Sequence, residues 1–277
     1  MTLEFYATNT IDHIRQFMPD VPYLFPASSW ARSGTLKPVP RYVSDIVSRK
    51  HRAADCGGFV ATKIWGDYRY TPDEYVNWLH SFTPQWAATM DYCCEDEITS
   101  GNTGIVCQRQ EATTDMAHLF WNNYRDEDGT WVPTIQGWHV ADYVRHARQM
   151  KPLLEEMQAH YHNDVWRVGI GTLCNRASVS DIVAVLGAVR REIGDMPIHL
   201  WGVKLGALQS KVLLRNVVSV DSAAWMPGGL HRTGIEAKAH RQELGLSQRQ
   251  YMYQIALPRY LEKVTTALSK PKQTTMF

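Results

Sequence analysis

The chain has 277 residues, of which 44% are hydrophobic and 21% are charged, and its formal net charge is +1. A chain of this length buries a large core without disulfide staples, and its many apolar residues and near-zero net charge exclude an intrinsically disordered protein. No apolar run approaches the roughly 18 residues of a membrane span, and the five cysteines include no C-x-x-C pair of the kind that holds zinc.

Short apolar runs rich in β-forming residues recur along the chain. There are eight of them, at residues 3–7, 22–25, 53–60, 86–92, 132–135, 166–170, 198–203 and 217–220. Amphipathic stretches of helical period lie between them, at residues 73–81, 140–160 and 179–193. Strands that alternate with helices predict a parallel sheet, and eight such units predict an α/β fold of the (β/α)8 TIM-barrel type. A doubly wound open sheet is the alternative, but its G-x-G-x-x-G turn is absent.

The last quarter of the chain differs from the rest in charge. Residues 204–277 contain 11 Lys or Arg and 4 Asp or Glu, whereas residues 1–203 contain 18 and 24. Residues 236–277 have a helical pattern, so we expect one domain, with a barrel over residues 1–235 and a helical, basic C-terminal segment. A local excess of positive charge favours a surface for a polyanion, and a solvated helical face is the alternative.

Polar and aromatic residues follow the predicted strands, where the active site of a TIM barrel lies. They are Asp55, Gly57, Gly58, Phe59, Asp91, Gln136, Gly137, Gly171, Thr172, Trp201 and Asp221. Each of them alone has a structural explanation as part of a tight turn, a helix cap or a core aromatic. Their coincidence at one end of a barrel favours a binding site instead.

These residue types suit a flat heterocycle that is joined to a sugar. Aromatic rings stack on the faces of a base, and each stacked base contributes about 1–3 kcal/mol. Asp91 would accept hydrogen bonds from the ring N–H and the exocyclic amine of guanine, while Gln136 and the backbone near Gly171 would meet the O6 side. Asp55 and Asp221 are then available for chemistry at the glycosidic carbon, one as nucleophile and the other as proton donor and acceptor.

Five segments resemble motifs of the tRNA-guanine transglycosylases and follow the same order. Asp55-Cys56-Gly57-Gly58-Phe59 resembles D-S-G-G-F/Y, and Ile135-Gln136-Gly137 resembles V-Q-G. Gly169-Ile170-Gly171-Thr172-Leu173 looks like the G-G-L strand end, His199-Leu200-Trp201-Gly202-Val203 is similar to Y-L-M-G-V, and Val220-Asp221-Ser222-Ala223 looks like F-D-C/S. Together the motifs span about residues 55–225, which is most of the predicted barrel.

The resemblance implies a role for each matching residue. Asp221 stands at the position of the family's nucleophile and Asp55 at that of its general acid/base, which implies a covalent glycosyl-enzyme and retention of configuration. Phe59 and Trp201 would form the pair that stacks on the base, and Trp201 stands where the family has Met. The implied reaction needs no ATP, metal or nicotinamide cofactor.

The chain departs from the tRNA-type enzymes at their zinc site. The C-x-C-x-x-C motif that follows their nucleophile is absent, and no cysteine follows Cys174. Shortened, zinc-free members look like the phage and bacterial branch that exchanges guanine in DNA for a 7-deazaguanine, commonly 7-cyano-7-deazaguanine (preQ0). We therefore expect DNA and a free 7-deazaguanine base as partners, no membrane, and a cytoplasmic location, since residues 1–9 do not resemble a signal peptide. A homodimer is left open.

Basic residues after position 203 are the expected contacts to DNA phosphates. They are Lys204, Lys211, Arg215, Arg232, Lys238 and Arg241. Three alternatives to a DNA-modifying enzyme remain: a zinc-free tRNA-guanine transglycosylase, a non-catalytic nucleic-acid-binding partner subunit, and an unrelated barrel hydrolase. The presence of both Asp55 and Asp221 argues against the second. The third lacks a metal-ligand set or a Ser/His arrangement in the sequence.

Overall fold

A computed structural model describes residues 3–8, 21–32, 34–41, 43, 47–127, 129–176, 178–226 and 232–271, with only the backbone given for residues 49 and 232–235. Eleven strands occur in this part of the chain: β1 (Glu4–Thr8), β2 (Tyr23–Pro26), β3 (Ala31–Arg32), β4 (Thr35–Leu36), β5 (Arg52–Asp55), β6 (Trp86–Ala88), β7 (Thr130–Val132), β8 (Thr134–Ile135), β9 (Val168–Ile170), β10 (Ile198–Leu200) and β11 (Ser219–Ser222). Strands β3 and β4 form a small antiparallel hairpin.

The other nine strands form one parallel sheet that is nearly closed. Its order is β7-β6-β5-β2-β1-β11-β10-β9-β8, so β7 and β8 lie at its two edges although only Pro133 separates them along the chain. Proline lacks the N–H that a ladder requires, which explains the break at this position. The Pro133 carbonyl still accepts from the Gly169 N–H at 2.8 Å. The result is a barrel-like α/β fold consistent with the predicted TIM barrel.

Three predicted strands extend too far. Runs 53–60, 86–92 and 198–203 leave the sheet after Asp55, Ala88 and Leu200. In the first run the prediction was wrong in type as well, because the chain is already helical from Gly58. The excess residues form the turns at the carboxyl end of the barrel, where apolar and glycine-rich sequence packs around the site.

Helices surround the sheet. They are α1 (Gly58–Val60), α2 (Pro72–His80), α3 (Asp96–Thr99), α4 (Thr103–Tyr124), α5 (Val140–Tyr161), α6 (Val179–Ile193), α7 (Lys211–Asn216), α8 (Arg232–Glu243), α9 (Gln248–Tyr251) and α10 (Leu257–Ser269), with 3-10 turns at Ala27–Ser29, Arg49–His51 and Leu205–Gln209 and π-helical turns at Ala61–Trp65 and Met252–Ala256.

The three predicted helices are confirmed as α2, α5 and α6, and Ser178 caps α6 by accepting from the Asp181 N–H at 3.2 Å. Helix α4 has no counterpart among them. Several of its buried positions are polar, including Gln110, Thr113 and Thr114, so its apolar periodicity is weak.

The interior of the barrel is aromatic. Tyr6, Trp86, His199 and Trp201 project into it, and Trp86 lies edge-on to Tyr6 with ring centroids 5.1 Å apart. Strand β11 is in register with β1, with Tyr6 opposite Asp221. Because side chains alternate along a strand, Ser219 and Asp221 lie on the same face of β11. This places Asp221 at the carboxyl end of the barrel, above the aromatic layer.

The C-terminal helix packs on the barrel. Leu257, Tyr260 and Val264 of α10 are buried in the core, and the Tyr260 hydroxyl donates to Ser222 Oγ at 3.2 Å. The described part of residues 236–277 is helical as expected, while the division of the domain at residue 235 stays a prediction. No helix in the described residues is both long and apolar enough to cross a membrane.

Candidate active site

A cleft of about 430 Å³ opens at the carboxyl end of the sheet. Both predicted catalytic carboxyls lie in its wall, together with Phe59 and Lys204; the complete lining is Thr8, Pro26, Ser28, Ser29, Asp55, Gly57, Phe59, Val60, Cys174, Gly202, Lys204, Asp221, Ser222, Ala223, Ala224 and Met226. Strand ends β1, β2, β5, β10 and β11 contribute to it. The cleft therefore lies where the sequence predicts an active site.

Asp221 is held by donors on both carboxylate oxygens. The Gly202 N–H donates to Oδ1 at 2.7 Å, and the Thr8 hydroxyl donates to Oδ2 at 3.0 Å. Nε2 of the buried His199 lies 3.4 Å from Oδ1. Two short hydrogen bonds from separate strand ends hold the carboxylate in one orientation within the cleft wall.

Asp55 has a different environment at the end of β5. Its Oδ1 accepts from the Gly57 N–H at 3.0 Å. Burial raises the pKa of Asp55 to about 7, opposed by the Gly57 hydrogen bond and increased further by the charges of Asp91 and Asp221. A carboxyl group that titrates near neutrality can both donate and accept a proton at that pH.

Asp91, Gln136 and Thr172 form a hydrogen-bonded chain across three strand ends. Gln136 Nε2 donates to Asp91 Oδ2 at 2.9 Å, and the Thr172 hydroxyl donates to Gln136 Oε1 at 2.5 Å. The Cys56 thiol lies 3.4 Å from Asp91 Oδ1. Burial raises the pKa of Asp91 to about 6, although the Cys56 and Gln136 hydrogen bonds oppose the shift. The structure thus brings Asp91, Gln136 and Thr172 together, although none of these three residues lines the cleft. A base-binding role for them stays a prediction.

Two glycines allow this close packing. A Cβ on Gly58 would lie 2.0 Å from Asp91 Oδ1, and one on Gly171 would lie 2.4 Å from Gln136 Nε2. Thr172 has a φ of 55°, which is strained for a β-branched residue and is found mainly at functional sites. Its hydroxyl also accepts from the Cys94 N–H at 2.9 Å. A side chain at Gly58 or Gly171 would therefore collide with Asp91 or Gln136, which explains why glycine occupies these two positions.

Outer helices hold Gln136 in place. Gln110 Nε2 of α4 donates to the Gln136 carbonyl at 2.6 Å, and the Gln136 N–H lies 2.8 Å from His146 Nδ1 of α5. Gly137 follows directly and packs against Tyr143, where a Cβ would lie 2.8 Å from the Tyr143 nitrogen. Neither supporting residue was singled out from the sequence, because each lies on a helix far from any motif.

Trp201 lies inside the barrel and not on the cleft. Its ring centroid is 4.3 Å from that of His199 and 5.7 Å from that of Trp86, and its Nε1–H donates to Thr134 Oγ1 at 3.2 Å. Phe59, by contrast, lines the cleft. A stacking role for the two rings stays a prediction, and only Phe59 is placed on the open side.

The predicted phosphate contacts are spread over the described surface. Lys204 lines the cleft, Lys211, Arg215 and Lys238 are exposed, and Arg241 is partly buried. The side chain of Arg232 lies outside the described residues. Contact between any of these residues and DNA stays a prediction.

Three residues near the site were missed from the sequence. Thr8 directly follows the first predicted strand, so the rule that selected the other strand ends could have found it. Cys174 lines the cleft. Glu95 lies four residues beyond Asp91, is only 1% exposed, and neither of its carboxylate oxygens has a hydrogen-bond partner in the part of the chain that the structure describes. Burial raises its pKa to about 7.

A family model matches most of this chain. It is that of DpdA, described as DeoxyPurine in DNA protein A, and it covers residues 41–241, which is more than half of the chain. The chain belongs to this family. DpdA is a DNA guanine transglycosylase-like family, a kind of pentosyltransferase, and the matched segment contains Asp55, Asp91, Gln136 and Asp221. The resemblance to guanine transglycosylases is thereby confirmed in kind. No curated protein matches the chain.

No metal centre is evident in this DpdA member. Among the described residues, no group of three or more His, Cys, Asp or Glu side chains is arranged to hold a metal ion. The cysteines are all free.

The raised pKa of Asp55 predicts a pH-dependent effect on stability. Its pKa is about 7 in the folded chain against 3.8 for an unperturbed Asp, so the charged form opposes folding. The Asp55 contribution should therefore lower the free energy of unfolding as the pH rises from about 4 to about 7. Above that range its contribution should stay constant. In Asp55→Asn, which keeps an acceptor for Gly57, the gain in stability over wild type should grow across that range in denaturant titrations.

Asp164 provides a matched control, because it is an exposed aspartate away from the cleft. Asp164→Asn should show no gain that grows with pH. A constant difference between Asp55→Asn and wild type from pH 4 to pH 8 would contradict the assigned pKa.

Proposed function

We propose that this chain exchanges guanine in DNA for a 7-deazaguanine base through a covalent intermediate on Asp221. The observation that carries the proposal is the position of Asp55 and Asp221 in one cleft of a DpdA member, with unlike surroundings. Pairs of carboxyls whose environments differ in this way divide nucleophilic and acid/base roles between them. Asp221 is fixed by hydrogen-bond donors, whereas Asp55 titrates near neutrality.

The first displacement forms a bond between Asp221 and C1′ of the target deoxyguanosine. The C1′–N9 bond breaks, its electron pair leaves with the guanine, and protonated Asp55 supplies a proton to the departing base. The nucleotide must first leave the duplex stack, which costs a few kcal/mol. The products of this half-reaction are free guanine and a glycosyl ester of Asp221.

The second displacement restores the enzyme. Asp55, now a carboxylate, takes the N9 proton of the incoming 7-deazaguanine, and N9 attacks C1′ while the Asp221 carboxylate leaves. The proton that Asp55 gave to guanine is thus replaced by one from the new base. Two inversions give net retention of configuration, and the two bases use one pocket in turn.

The Asp91–Gln136–Thr172 chain is the proposed guanine-reading edge. An ionised Asp91 accepts from the N1–H and 2-amino group, and Gln136 with the backbone at Gly171 meets O6. A 7-deazaguanine has the same edge, so the same groups bind both bases. The chain lacks the C-x-C-x-x-C zinc motif, which supports the zinc-free, DNA-acting branch and makes preQ0 the first base to test.

The test of the proposed function is base exchange. Purified protein is incubated with labelled preQ0 and with either duplex DNA or folded tRNA, and incorporation is followed together with release of guanine. We expect label in DNA and an equal amount of guanine released. Label that enters tRNA in preference to DNA would favour the zinc-free tRNA enzyme. Binding of DNA without any exchange would favour the non-catalytic subunit.

Asp221→Asn should lower exchange by on the order of 10⁴-fold, because the loss of a covalent nucleophile removes the whole two-step route. DNA binding should stay near that of wild type, since the amide keeps the shape of the side chain. Wild type incubated with DNA alone should give an adduct that resists denaturation, and Asp221→Asn should not. Activity within tenfold of wild type in the Asn variant would show that the nucleophile is another residue; Asp164→Asn is the control.

Asp91→Asn should lower the affinity for free guanine about ten- to a hundredfold. The substitution places an N–H where the base presents its own donors, and an unpaired buried polar group costs about 1–3 kcal/mol. Isothermal titration with guanine and with adenine measures the effect. Unchanged guanine affinity would assign Asp91 a structural role only, in the hydrogen bonds to Cys56 and Gln136.

Lys204 and Lys211 are proposed to contact DNA phosphates, Lys204 from within the cleft and Lys211 from the exposed start of α7. Each lost phosphate contact should lower the slope of log affinity against log salt by about one unit, whatever the DNA sequence. Lys204→Ala and Lys211→Ala are compared with Lys151→Ala on α5, outside the basic segment. An unchanged slope in both variants would leave the C-terminal quarter as a solvated helical face.

A further inference from the structure

His199 is buried directly behind the proposed nucleophile. It is fully inaccessible to solvent, with Nδ1 2.8 Å from Ser219 Oγ and Nε2 3.4 Å from Asp221 Oδ1. Nε2 forms no well-aligned hydrogen bond with any of the described residues, and the Asp221 carboxylate is the charged group that it faces. A buried ring nitrogen that faces only the Asp221 carboxylate must either donate to it or bring its lone pair against a negative charge.

The hydrogen bond from Arg167 to Ser219 favours the first case, in which Nε2 donates to Asp221. Arg167 Nη1 donates to Ser219 Oγ at 2.7 Å, and a guanidinium can only donate. Ser219 accepts from Arg167, so its own hydroxyl proton is available for His199 Nδ1. Ser219 Oγ has a second lone pair that could also accept from an Nδ1–H, but that tautomer would set the Nε2 lone pair against the Asp221 carboxylate. The arrangement therefore favours the Nε2–H form, whose proton faces Asp221. The direction of donation runs from Arg167 through Ser219 and His199 to the carboxylate.

Arg167, the first donor of this hydrogen-bonded series, is held by several contacts. Arg167 is 3% exposed and donates from Nε to the Val165 carbonyl at 2.7 Å and from Nη1 to Glu4 Oε2 at 2.8 Å. Its guanidinium also lies over the Trp86 ring, 5.3 Å from the centroid. Ser219 and Asp221 lie on the same face of β11, and His199 is in register with Ser219 on β10. Backbone geometry therefore sets the spacing of the three side chains.

We propose that His199 is a positioning residue for Asp221, whose Oδ1 it holds together with the Gly202 N–H so that Oδ2 is the oxygen that attacks C1′. Oδ2 accepts only from Thr8 among the described residues and so keeps a lone pair for the sugar. This inference rests on the proposed transglycosylase function. Burial lowers the pKa of His199, which is consistent with a neutral imidazole near pH 7.

The two displacements depend on this contact in opposite ways. In the first, Asp221 loses its negative charge as the Oδ2–C1′ bond forms. In the second, the C1′–Oδ2 bond breaks and the electron pair returns to the carboxylate, which the His199 N–H then stabilises. Removal of the donor makes the carboxylate a poorer leaving group. The second displacement should therefore slow more than the first, and the covalent adduct should accumulate.

The decisive variants are His199→Leu and His199→Gln. His199→Leu removes the donor, and kcat for exchange should fall about ten- to a hundredfold, as expected for a hydrogen bond to a charged group. The KM for the free base should stay unchanged, because His199 does not line the cleft. The fraction of DNA trapped as adduct at steady state should rise. His199→Gln, with an amide donor in place of the imidazole, should restore most of kcat. His80→Leu, at an exposed position of α2, is the control.

A second measurement does not depend on activity. The ¹⁵N shifts of the imidazole, assigned by their loss in His199→Gln, should show the Nε2–H form near pH 7 and a change of tautomer or a mixture in Ser219→Ala. An Nδ1–H form in wild type would overturn the proposal. So would unchanged kcat and adduct in a folded His199→Leu. Absence of any adduct in wild type would instead refute the proposed function and leave the tautomer as the test of the His199–Asp221 contact.

Discussion

Three carboxyl groups converge at one end of a parallel barrel, and the rest of the site follows from how each of them is accommodated. Asp55 and Asp221 lie in strands β5 and β11, and Asp91 follows the end of β6. Burial of a carboxylate is unfavourable unless hydrogen bonds replace its water. Asp221 accepts from Gly202 and Thr8 at normal distances. Asp91 accepts from Gln136 and faces the Cys56 thiol. Asp55 accepts from the Gly57 N–H, and the neighbouring Cys56 thiol is a further, weaker donor.

The different surroundings of the three carboxyls suit different chemical roles. Burial raises the pKa of Asp55 to about 7, although its Gly57 and Cys56 hydrogen bonds oppose the shift, and this value suits proton transfer. The carboxyl with donors on both oxygens is held in one orientation, which suits attack on a fixed carbon. The third carboxyl lies in a chain of side-chain hydrogen bonds and suits recognition of a base edge. The three proposed roles thus fall on a single residue type and differ through the groups that surround each position.

The polar chain beneath Asp221 crosses an otherwise aromatic interior. Tyr6, Trp86 and Trp201 fill the barrel, so Arg167, Ser219 and His199 lie where water cannot compete for their hydrogen bonds. Hydrogen bonds are electrostatically stronger in such surroundings. The aromatic layer therefore both supports the floor of the cleft and strengthens the contact that orients the proposed nucleophile. Trp201 is part of this layer, and its indole N–H donates a hydrogen bond to Thr134.

The sequence alone was sufficient for the fold class, for three helices and for the positions of Asp55, Asp91, Gln136 and Asp221 at strand ends. These features depend on local patterns: alternation along strands, helical period between them, and the rule that residues after parallel strands meet at one edge. The extents of the strands were less certain, since the glycine-rich turns after Asp55 and Leu200 have the same apolar composition as the strands. Residues on outer helices, such as Gln110 and His146, carry no such signal.

Only the tertiary structure decided which side chains are partners. Thr8 and Asp221 are separated by 213 positions and meet because β1 pairs with β11. The approach of the two sheet edges on either side of Pro133 and the burial of Trp201 depend on the same register. Strand pairing fixes distances between residues that are remote along the chain. It thereby sets the burial that raises the pKa of Asp55 and the contacts that orient Asp221. The sequence by itself determined which groups are present at the barrel end, and the folded chain determined what each of them contacts.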